Sequence, residues 1–182
     1  MGEPSEEHPG SGRMERSMVA VIEMDKLSQV LWRERELLEL LAYKLDVERM
    51  VLGSGKTRWL ANATREIEAV LEEMRATEVL RATAADLVAE QMGLAPNPSL
   101  AALAERATGP WGAILADHRD AMITLAREIA ETSEDAKGLI TAGYRSARET
   151  LLAMGSTTSA GYTPAGTVVT DAAHAHLVDR SL

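Results

Sequence analysis

Five residues, Gly53-Ser54-Gly55-Lys56-Thr57, have the composition of a phosphate-binding turn. A P-loop cradles phosphate with backbone N–H groups and follows a strand, and its first glycine stands five positions before the second. That position here is Met50, inside a helical pattern, so the stretch reads as a turn between helices. His174 and His176 would share a face on a strand and diverge on a helix. Only Asp171 and Asp179 stand near them, too little for a metal site. His118 falls on an apolar stripe and reads as a core or boundary histidine rather than a general base. The 28 acidic residues make chance carboxylate pairs common, and Glu34-Arg35-Glu36 or Glu72-Glu73 read as solvated helix faces. The chain has no cysteine, which removes disulfides, zinc–thiolate sites and thiol catalysis. No Glu-x-x-His pair of a di-iron bundle occurs. The expectation is a protein with no catalytic centre, no cofactor and no metal.

Net charge is −9, which speaks against a nucleic-acid partner, since phosphate contacts need a basic surface. No run of 18 apolar residues could span a membrane. The first residues are acidic and lack the apolar stretch of a secretory signal, so the expected location is the cytoplasm.

The elements that must position any site are helical. Phe is absent and aromatics are 3% of the chain, low for a β-sandwich, while Ala, Leu, Glu and Arg fill the middle. Residues 1–12 carry glycines, prolines and glutamates and read as a disordered tail. Breakers then delimit helices over about 13–52, 57–92, 99–107 and 110–154. Thr57 and Ser99 are candidate N-caps, Pro110 suits the first turn of the last helix, and Thr132-Ser133-Glu134-Asp135 resembles a capping box that could break it. Residues 155–182 are polar and read as a flexible tail.

Leu31, Leu38, Leu45 and Leu52 recur every seven residues, with Leu27 and Leu41 completing a stripe. Leu60, Ile67, Leu71, Met74, Leu80 and Leu87 make the second stripe. Trp111, Ile114, Leu115, Met122, Leu125, Ile129 and Ile140 make the third. Seven-residue spacing favours near-parallel packing with a left-handed supercoil. The fold expected is all-α: an elongated antiparallel hairpin plus a third long helix, a three-helix coiled-coil-like bundle. If the last helix runs antiparallel to the second, its greater length leaves the end near Tyr144–Met154 past the Gly53 turn. Apolar groups there would mark a partner site.

The stretch from Leu27-Ser28-Gln29-Val30-Leu31-Trp32 to Glu39, the glycine turn with Trp59-Leu60, and Ala63-Thr64-Arg65-Glu66-Ile67 through Leu71 resemble flagellar export chaperones of the FlgN type. The order of two long helices, a leucine-bearing short helix and a third long helix is similar too, as is the closing Tyr162-Thr163-Pro164-Ala165-Gly166. The resemblance covers roughly residues 20 to 166. It implies a chaperone that binds the C-terminal helices of hook-filament junction proteins, prevents their early association and passes them to the type III export apparatus. It also implies cargo binding through the C-terminal part: Leu139, Ile140, Tyr144, Ala147, Leu151, Leu152, Met154 and Tyr162. The chain departs from the family at Thr163, where an acidic residue is common. From the residues alone a second possibility stays open, a coiled-coil adaptor that associates with itself.

Overall fold

The computed structural model describes residues 11–157, 160–162 and 168–170. Long runs free of proline and rich in helix formers become helices: α1 (Ser11–Gly53), α2 (Leu60–Met92), α3 (Leu100–Arg106) and α4 (Trp111–Thr157). The chain is all-α in class. Two short strands, β1 (Ala160–Tyr162) and β2 (Val168–Thr170), pair antiparallel within the stretch read from sequence as a tail. Helix α4 runs unbroken through Thr132, so the capping-box residues there sit inside a helix.

The helix ends follow local chemistry. Gly55 takes a left-handed φ of 67° in the turn after α1. Thr57 does not cap α2 as its type suggests. Thr57–Trp59 form a single 3-10 turn that leads into Leu60, and no side chain caps α2. Gly93 closes α2 in a left-handed conformation: its N–H reaches the carbonyl of Glu90, and Leu94 N–H that of Ala89. This is a Schellman ending, and it turns Leu94 back onto the core. Ser99 does cap α3, its Oγ accepting from Ala102 N–H at 3.1 Å. Pro110 supplies the carbonyl for Ile114 N–H, one position ahead of α4.

The described chain forms two units, one up to Ala136 and one from Lys137 onward. In the first, polar partners report direction. Arg33 pairs with Glu73, Lys44 with Glu66, and Thr64 donates to Glu48, so numbers fall along α2 as they rise along α1. These helices are antiparallel. Arg35 pairs with Asp117 and Arg49 with Asp135, so this part of α4 runs parallel to α1. Helices α1 and α2 make the closest approach. Their seam is built of small residues: Ala42, Ala63, Ala84, Ala85 and Ala89, with Ser28 and Thr77, are all buried.

Two apolar clusters fill this unit. One joins Met24, Leu27 and Leu31 to Ala84, Ala85 and Val88, and is sealed by Leu103 of α3 and Leu115 of α4. The other holds Leu37, Leu41, Ile67 and Val70, with Ile129 of α4 packed against it. Two leucines expected in the core, Leu80 and Leu87, are exposed, Leu80 to 60%. Leu37, outside the predicted stripe, is buried instead. A helix between two neighbours buries two faces, and a single stripe describes only one of them.

Candidate helix-docking surface

On a helix, each residue turns the side chain by about 100°. Laid out this way, Trp111, Leu115, His118, Met122, Ile129 and Ala136 of α4 form one stripe. The same spacing continues through Ile140, Tyr144, Ala147, Leu151 and Met154. Burial changes along it while residue type does not. Leu115 is 0% exposed and Ala136 is buried. Ile140 is half-exposed, Tyr144 is 70% exposed and Leu151 69%. Every described residue from Lys137 to Met154 is exposed.

The site residues expected from the family resemblance therefore divide. Ile140, Tyr144, Ala147, Leu151 and Met154 share one face of α4, and all are exposed. Leu139 and Leu152 are exposed too, and each lies about 100–120° from the stripe's centre, at its margins. Tyr162 falls on β1, and its side chain lies outside the described residues. His174 and His176 lie outside them as well.

The buried part of the stripe holds a polar group, His118. It is 1% exposed, and among the described residues neither ring nitrogen has a hydrogen-bond partner. Its ring meets the Trp32 indole edge-on, with centroids 4.9 Å apart. The Arg35 guanidinium lies 5.2 Å from the Trp32 ring centroid and also pairs with Asp117. Burial pushes the His118 pKa down, because it penalises the imidazolium; the Asp117 charge opposes this and Arg35 adds to it. A neutral histidine packed against tryptophan is a core group, as its place on the stripe suggests. On the α1–α2 seam, Glu34 is pushed up by burial, opposed by Arg81, which lies 3.2 Å away.

Two concave surfaces complete the first unit. A cleft of about 320 Å³ lies among Met24, Val88, Met92, Arg106, Thr108 and Trp111, and among the described residues that line it Arg106 is the ionisable one. A shallower groove of about 430 Å³ runs between α1 and α2, floored by Val30, Leu80, Ala84 and Leu87. Sequence reasoning missed this groove. Leu80 and Leu87 stand seven apart, which reads as core, and the signal against core was the run of alanines beside them.

Among the described residues no helix is long and apolar enough to cross a membrane, and no group of three His, Asp or Glu could hold a metal ion. The model of a family described as FlgN protein matches residues 18–170. No curated protein and no solved structure matches the chain.

Proposed function

Because the chain belongs to the FlgN family of flagellar export chaperones, we propose that its cargo is the C-terminal helical segment of hook-filament junction proteins. It holds that segment in the cytoplasm, prevents premature association and delivers the subunit to the type III export apparatus. The observation supporting this reading is the exposed stripe Ile140, Tyr144, Ala147, Leu151 and Met154. An amphipathic terminal helix laid along that stripe covers apolar groups on both partners.

The energetics suit a transient hold. Fully burying a side chain such as Ile or Leu contributes about 1.5–3 kcal/mol. Three or four of them, set against the lost freedom of the partners, leave a surplus small enough for release without nucleotide hydrolysis. Partner residues that do the work are Ile140, Tyr144 and Leu151, with Ala147 permitting close approach.

The test is capture of purified hook-filament junction subunits by the full chain. Leu151→Asp is expected to weaken capture at least about tenfold, because a charge then sits in the apolar seam, with circular dichroism unchanged. Undiminished capture would overturn the assignment of the stripe. A large loss of helical signal would place Leu151 in a core. The exposed Leu80 and Leu87 favour a second reading, self-association through the α1–α2 groove. Light scattering distinguishes it, since that reading requires a dimer without cargo.

A further inference from the structure

The flanks of the exposed stripe differ in charge. Residues 137–154 hold three cations, Lys137, Arg145 and Arg148, against one acid, Glu149, in a chain of net charge −9. Arg148 and Arg145 lie about 80° and 140° to one side of the stripe's centre. Glu149 lies about 180° away, at the back of the helix, four residues after Arg145 and about 100° from Arg148. The opposite edge carries Gly143, Ser146 and Thr150 with Leu139 among them, all uncharged. The Thr150 hydroxyl is already bonded to the Ser146 carbonyl at 2.9 Å.

In the first unit Arg33, Arg35, Arg49, Arg75, Arg81 and Arg119 each lie within ion-pair distance of a carboxylate, whereas Arg58 lies over the Trp59 ring and Arg65 bonds Asn62. Among the described residues, neither Arg145 nor Arg148 has such a partner. A guanidinium is a planar fork suited to carboxylate, and its stem covers apolar surface while the head reaches outward.

Resting on the docking reading above, we infer that the guest is an amphipathic helix with aspartate or glutamate along one edge of its apolar face, and that Arg145 and Arg148 recognise that edge. The apolar stripe supplies the contact area. The charged edge sets which helix binds and on which side its acids lie, because charge across an interface acts more on selection than on total affinity. An anionic membrane fits less well: membrane-seeking helices are rich in cations across the polar face, and this one has them on one side. A second copy also carries acids, and the oligomeric state is the readout that separates it from a guest helix.

The experiment compares two synthetic amphipathic helices with identical leucine faces, one edged with glutamate and the other with lysine at the same positions. Binding to the full chain is read by fluorescence anisotropy at low and high salt. The glutamate helix should bind at least about tenfold more tightly, with the margin shrinking in high salt. An Arg145→Glu, Arg148→Glu variant should reverse the preference with unchanged circular dichroism, and Arg145→Lys, Arg148→Lys should keep it. Equal binding of both peptides overturns the charge selection and leaves the docking surface standing. Binding of neither overturns the docking surface itself. Capture by phosphatidylglycerol vesicles without any peptide preference assigns the edge to a membrane. A wild-type dimer that the double Glu variant dissolves assigns it to a second copy. Either result overturns the inference.

Discussion

Helix α4 carries one apolar stripe in two conditions. Up to Ala136 its side chains meet α1 and α2; from Ile140 to Met154 the same spacing and the same residue types are exposed. Periodicity states what a helix offers. Whether the offer is taken depends on a second stripe being present. The two stretches also differ beside the stripe. Near Leu115 the flanking charges pair with α1, through Asp117 with Arg35 and Asp135 with Arg49. Near Leu151 the flanking arginines have no carboxylate among the described residues. An exposed stripe with arginines beside it is what the proposed docking of another helix requires.

The largest test of this contrast is truncation at matched positions. Leu115→Ala should cost about 2–5 kcal/mol of unfolding free energy, since it opens a cavity among side chains that cannot fully collapse. Leu151→Ala should cost about 0.5 kcal/mol or less, as exposed sites do. Urea denaturation of the two variants measures both. Comparable losses would mean that Leu151 is covered in solution and that the difference along α4 does not exist.

Much of the fold could be read from residue types, and the parts that could not share a cause. Breakers with a local mechanism were legible: Gly93 closes α2 and Ser99 caps α3 because each acts on its own backbone. The all-α class was legible from composition. Thr57 was not, because a 3-10 turn satisfied the chain before α2 began. Choosing the buried face of α2 by its leucines put Leu80 and Leu87 inside, yet the buried residues are Ala84, Ala85, Val88 and Ala89. Alanine contributes little area, but it lets two backbones approach, and that geometry is decided between helices rather than within one. Of the proposed site, the stripe's face was legible from spacing and its placement came from the family resemblance. Leu139 and Leu152 came with the same resemblance, and helical geometry sets them at the margins of the stripe.

The covered half of α4 should also respond to pH. Burial holds the folded-state pKa of His118 below its ordinary value of 6.5. The unfolded chain therefore takes up a proton first as pH falls. Stability is complete above about pH 6.5 and declines from there down to the lowered folded value, by at most about 1.4 kcal/mol per pH unit for one proton. His118→Leu should remove that slope in urea titrations between pH 7 and 5, where carboxylates contribute less. The Glu34 carboxyl, raised above 4.5 by burial, acts oppositely: it costs stability as pH rises through 4.5 toward its folded value. An unchanged slope in His118→Leu would mean that the imidazole is hydrated, and the covered half less well sealed than Leu115 indicates.

The smallest effect concerns the ion pairs beside the covered stripe. Asp117 is largely exposed and its contact with Arg35 is 3.4 Å, so Asp117→Asn should change stability at pH 8 by less than about 1 kcal/mol. Its larger consequence is indirect. The Asp117 charge raises the His118 pKa against the lowering by burial. Without it the imidazole resists protonation further, the folded pKa falls, and the loss of stability on acidification extends to lower pH. The variant should match wild type at pH 8 and fall below it near pH 5. Equal stability at both values would show that solvent screens Asp117 from the ring. A loss at pH 8 approaching that of Leu115→Ala would mean that charge, not apolar contact, seats this part of α4, and an arginine edge alone would then be no mark of an unoccupied surface.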